Sequence, residues 1–243
     1  MRGAIAFLLV LLATFINAQT DSLRRALAAL PRDSTRYPVL TELIRANVFS
    51  QPDSALVHAA QYSVLANDLG STFHLAKGEN FIGMCHSVKG EHAEALAHYM
   101  RALAGFQRTG DAWYTAMAHN NIGSVHLTEK RLNDARARFQ EAYDGFKAVK
   151  DTAWQANTAN NLANVFRAEG ELDSAYAYYA RAAEALERID DREHAASAVY
   201  NQGNVRLDQE RPEEALTLLT RAGELLQGIE GDQTWAMIHI EKG

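Results

Sequence analysis

Asparagine, histidine and a lone cysteine are the side chains whose spacing in this sequence could do chemistry. Asn80, Asn120 and Asn160 stand forty residues apart in one row, Asn121, Asn161 and Asn201 in the adjacent row, and Asn157, Asn164 and Asn204 lie close by. A primary amide both donates and accepts, so a row of them can pair with the backbone of an extended peptide without demanding particular side chains. The same amides could instead bond neighbouring helices to one another. Lys77 and Arg167 stand beside these rows and could add recognition of an anion, or simply be single solvated charges.

Nine histidines invite a metal. His119 and His126 share a helical face, but seven residues is about 10 Å of rise, too far for one ion held at about 2 Å by each ligand. His86 and His126 are one period apart at a packing position, which reads as core, and His92 and His98 have no ligand spacing. Cys85 beside His86 imitates a nucleophile pair, yet adjacent helical residues point about 100° apart, and a buried thiol is the ordinary outcome. The sequence holds no glycine-rich phosphate loop, serine elbow or paired zinc-ligand motif, so no catalytic residue, metal ligand or cofactor is expected. Trp113, Trp154 and Trp235 fall at junctions between helices, where packing is the expected use.

The elements that must position these residues repeat every forty residues. Gly83, Gly123, Ala163, Gly203 and Gly243 form one register; Ala55, Ala95, Ala135, Ala175 and Ala215 another; Tyr99, Phe139, Tyr179 and Leu219 a third. Within one unit, Ala116, His119, Ile122, Gly123 and His126 follow one face of a helix, and Leu132, Ala135, Phe139, Ala142 and Phe146 follow one face of the next. A polar turn separates them, with glycine at Gly90 and Gly170 in neighbouring units. Each unit is therefore a helical hairpin. Capping chemistry is expected at the second helices, from Asn133, Asp134, Asp173 and Asp53. Small residues on the first helix are expected to face alanines on the second, with an aromatic filling the next gap.

The order small residue, Ala, aromatic, Ala, as in Gly123, Ala135, Phe139 and Ala142, resembles the tetratricopeptide repeat in a forty-residue form. The resemblance covers residues 36–243 as about five repeats truncated within a sixth, with departures at Leu43 and Gln202. It implies an all-α, right-handed superhelical solenoid of antiparallel hairpins whose first helices line a concave groove, and a protein or peptide partner held there by Asn80, Asn120, Asn121, Asn160, Asn161, Asn164, Asn201 and Asn204 with Lys77 and Arg167. A short helix over 19–35, running Asp21-Ser22-Leu23-Arg24-Arg25-Ala26-Leu27, followed by these repeats, also resembles the extracytoplasmic sensor half of bacterial signalling proteins. In that group a membrane helix and a histidine kinase, or a helix-turn-helix output, typically follows.

Arg2, the apolar run Ala4–Ile16 and the small residue Ala18 read as a signal peptide over 1–18, which predicts export to a periplasmic or other extracytoplasmic compartment. The apolar run is too short to span a bilayer, and no cysteine stands at the cleavage site to take a lipid. Cleavage removes one arginine and no acid, taking the formal charge from -6 to -7. Such a balance speaks against nucleic acid and against direct binding to an anionic membrane after cleavage. Gly243 falls midway through a sixth first helix, so the protein is expected to continue beyond it.

Overall fold

The computed structural model describes residues 20–227. The leader expected over 1–18, the sixth first helix expected near Gly243, and Trp235 lie outside the described residues. Eleven helices and no strand occur among the described residues, and 83% of these residues are helical. After α1 (20–29) they pair as α2 (Arg36–Asn47) with α3 (Pro52–Asp68), α4 (Thr72–Val88) with α5 (His92–Thr109), α6 (Ala112–Thr128) with α7 (Leu132–Ala148), α8 (Thr152–Ala168) with α9 (Leu172–Arg188), and α10 (Arg192–Asp208) with α11 (Pro212–Leu225). Two compact units divide between Asp111 and Ala112.

The turns repeat every twenty residues, half the sequence period. Positions 70, 90, 110, 130, 150, 170, 190 and 210 all adopt left-handed backbone, with φ between 58° and 81°. At each, the next residue's N–H reaches back to a carbonyl five residues earlier, as in Glu91 to His86 at 2.9 Å and Arg131 to His126 at 2.8 Å. This Schellman closure satisfies the last carbonyls of the helix and turns the chain sharply. Glycine occupies four of the positions; Lys130, Lys150, Asp190 and Glu210 occupy the others at a steric cost.

Side-chain caps are found on the first helix of the hairpin, not the second. Ser71, Asp151 and Asp191 accept from the backbone N–H of His74, Trp154 and His194. The residues preceding α5, α7, α9 and α11 make no side-chain cap. There, Glu91, Arg131, Glu171 and Arg211 follow the left-handed residue directly. The acids of these second helices instead lie inside the first turn, where they complement the helix dipole.

In the first unit Leu40, Leu43, Ile44, Tyr62 and Leu65 form a core to which Leu27 of α1 contributes. The expected seam is refined here: the glycine faces the aromatic ring itself. A Cβ on Gly83 would stand 2.8 Å from the Tyr99 ring, and one on Gly123 would stand 2.8 Å from Phe139. A second small contact has the glycine on the second helix and the alanine on the first, as where Gly145 of α7 lies against Ala116 of α6. In the second unit α8 also touches both α6 and α10 directly, setting equivalent side chains of successive first helices side by side.

Candidate functional site

The first helices of the second unit are nearly free of charge along their middles. α6 carries no Asp, Glu, Lys or Arg, α8 carries only Arg167 near its end, and the charges of α10 lie in its first and last turns. Asparagines recur among the uncharged polar residues that remain, at two adjacent positions of α6 and α8 and at one of them in α10. Asn161 Nδ2 donates to Asn120 Oδ1 at 3.0 Å, and Asn201 Nδ2 donates to Asn160 Oδ1 at 3.2 Å. The two rows are therefore stitched diagonally, each outer amide to the inner amide of the preceding hairpin, 41 residues earlier. Two such steps cross three helices and end where Tyr200 takes the inner position.

Each stitched outer amide is pinned by one N–H and keeps its Oδ1 and its other N–H for further bonds. Asn161 and Asn201 are half-buried, so this remaining capacity lies at the surface. Asn120 is buried. Asn164 accepts from the Tyr179 hydroxyl, whose ionisation is pushed up to about 12, chiefly by burial. Asn157 and Asn204 are half-buried and have no side-chain hydrogen bond among the described residues. Thus the sequence-predicted set divides: Asn120, Asn160, Asn161 and Asn201 bridge hairpins, Asn164 supports a tyrosine, and Asn204 joins Asn157 as a half-buried amide without a side-chain hydrogen bond among the described residues.

The charged candidates are engaged within the chain. Arg167 grips Asp208 through Nε and through an NH2–Oδ1 bond of 3.1 Å, and this hydrogen bonding raises the guanidinium further above its ordinary range. In the first unit, Lys77 Nζ lies 5.7 Å from the centre of the Phe73 ring, and Asn80 is buried. Asn121 is half-buried and carries an interaction of its own.

The histidines play structural parts. His126 and His119 are buried, and burial holds both below the ordinary value of 6.5; for His119 this outweighs Glu141, which stands 2.9 Å from Nδ1. His86 stacks on His98 with centroids 5.3 Å apart, a pairing the sequence spacing did not suggest because the two rings come from different helices. Their Nδ1 atoms face Glu91 and Glu79. No group of three or more potential ligands occurs among the described residues. Cys85 is fully buried and its thiol is pushed up to about 11 by burial, which leaves no thiolate for chemistry. Trp113 and Trp154 meet edge-to-face at 5.6 Å, and Trp113 donates to Asp151, the residue that caps α8. Among the described residues no helix is long and apolar enough to cross a membrane.

The tetratricopeptide repeat matches this sequence over residues 74–148 and 154–227. No curated protein matches it. Among solved structures it is similar to BtubC (BKLC) from P. vanneervenii, at 17% identity and a TM-score of 0.74, covering 90% of this chain and 91% of that one. It is similar to a Rap protein complexed with competence and sporulation factor, at 16% identity and a TM-score of 0.63, over 84% of this chain and 61% of that one. A signal transduction ATPase with a tetratricopeptide repeat sensor from Pyrococcus horikoshii matches at 15% identity and a TM-score of 0.72, over 91% of this chain but 35% of its own. At these identities the likeness is one of fold.

Proposed function

This chain belongs to the tetratricopeptide repeat family, and from that premise we propose that it binds an extended segment of another polypeptide along the first-helix face of its second unit. The observation that carries the reading is the stitched asparagine ladder of α6, α8 and α10 on an uncharged strip. Amides held by one bond and open at the others offer paired donors and acceptors at fixed positions, which suits a peptide backbone and costs little ordering on binding. Asn157 and Asn204 add two amides that have no side-chain hydrogen bond among the described residues. The family is generally a non-catalytic scaffold, and the Rap structure with its bound factor supports a ligand-binding use of the fold.

The test is selection of a binder from a random dodecapeptide display pool, followed by affinity measurement on an Asn157→Ala, Asn204→Ala variant. Loss of two hydrogen bonds of about 0.5–1.5 kcal/mol each should weaken the selected peptide by roughly 5- to 140-fold with the melt unchanged. A pool that yields no binder, or binders indifferent to both substitutions, removes the reading. We further propose that residues 1–18 direct export and that the repeats serve as the sensor part of a longer signalling protein, as in the ATPase with its repeat sensor. Alkaline phosphatase fused after residue 40 should be active outside the cytoplasm and inactive when 1–18 are deleted.

A further inference from the structure

The second helices carry the same register on their outward side, and α3 departs from it. At positions 57, 60 and 64, α3 has Val57, Ala60 and Val64, spaced as one helical stripe. Forty-residue steps later the last of these positions holds Ala104 in α5 and then Asp144, Glu184 and Glu224 in α7, α9 and α11, and the first holds only alanine or threonine, so α3 alone carries a branched apolar residue at both. Val57 and Val64 remain 57% and 49% exposed. Together with Leu27, Ala28 and Leu40 they floor an open cleft of about 630 Å³ between α1, α2 and α3.

The rim has one sign. Arg24, Arg32 and Arg36 line the cleft and no acid does, in a chain with 30 acidic and 24 basic residues. Asp21 and Asp68 pair with Arg24 and Arg32 from outside at 3.2 and 3.4 Å, but all four side chains are well exposed, and such pairs are weak and exchangeable. Arg36 gives one N–H to the Leu27 carbonyl, while its Nε is buried with no partner among the described residues.

The geometry points to a docking site for an amphipathic helix of a partner polypeptide, with an apolar face for the Val57–Ala60–Val64 stripe and flanking carboxylates for the arginines. α1 already uses this mode, laying Leu23 and Leu27 on the same core. The wide, half-open form of the cleft suits a helix rather than an acyl chain, which gains most from an enclosed tunnel. Acidic flanks follow from the charge of the rim and disfavour basic helices.

The test uses the full chain with a fluorescent 18-residue helical peptide bearing leucines on one face and glutamates beside them, and its lysine counterpart. The variant Val57→Ala, Val64→Asp installs the residues of Ala137 and Asp144 at two exposed positions, so its melt should not change. The acidic peptide should bind, more weakly at high salt, and at least about tenfold more weakly to that variant and to Arg32→Gln, Arg36→Gln. Equal binding of the lysine peptide, indifference to the valine variant, or no binding overturns the proposal. So does dodecanoate binding that the valine variant abolishes while the peptide does not bind, or self-association of the chain that the valine variant abolishes.

Discussion

Left-handed turn residues and one thiol offer the most direct checks at the residue scale. Lys130, Lys150, Asp190 and Glu210 hold φ near 58–59° in the same closure that glycine makes at Gly90 and Gly170. A left-handed L-residue costs about 1–2 kcal/mol, of which glycine's greater freedom in the unfolded chain returns part. Replacing Lys130 or Asp190 by glycine should therefore raise stability by up to about 1 kcal/mol each in chemical denaturation; a loss would show that their side chains contribute more than their backbone strain takes away. Cys85 should resist alkylation at pH 8 in the folded protein and react at once in guanidinium, because burial holds its thiol near 11. Rapid modification under native conditions would contradict the packing of the first unit.

Helix pairs depend on what the ring and the glycine leave each other. Gly123→Ala drives a methyl to 2.8 Å from the Phe139 ring and should destabilise by about 1–3 kcal/mol, whereas Gly203→Ala meets the aliphatic Leu219 side chain at 3.1 Å and the Ala215 carbonyl at an ordinary 3.5 Å and should cost less. Equal losses in urea melts would place the tight seam elsewhere. Burial also sets a pH dependence. His58, His74, His98, His119 and His126 all sit below the ordinary 6.5, with burial the first cause of each. The unfolded chain then binds protons that the folded one refuses, so stability is full above about pH 6.5 and falls as pH drops below it. The melting temperature should decline from pH 7.5 to 5.5, and less steeply in a variant carrying His126→Leu. A flat profile would mean that the rings are solvated.

Across the whole molecule, the hairpins were legible because period, small residues and aromatics recur together, so Gly123, Ala135 and Phe139 announced a helix pair without knowledge of any contact. The caps were not: Asp53, Asp134 and Asp173 looked like caps, yet α3, α7 and α9 have no side-chain cap; before α7 and α9 the left-handed Lys130 and Gly170 close the previous helix, and the side-chain role falls to Ser71, Asp151 and Asp191 at first helices. The asparagine rows were visible, but the division of labour within them was not, since the stitch runs from Asn161 to Asn120 and from Asn201 to Asn160, between helices that only the stacking brings together. Nor could spacing reveal that Arg167 is held by Asp208. The measurement that bears most directly on peptide binding is a titration of asparagine-labelled ¹⁵N protein with a peptide selected against it, watching the side-chain amides. The Asn157 and Asn204 signals should shift most, with smaller shifts at Asn161 and Asn201, whose stitched N–H is already engaged. Shifts confined to residues 20–111, with the ladder amides unmoved at saturation, would contradict the account.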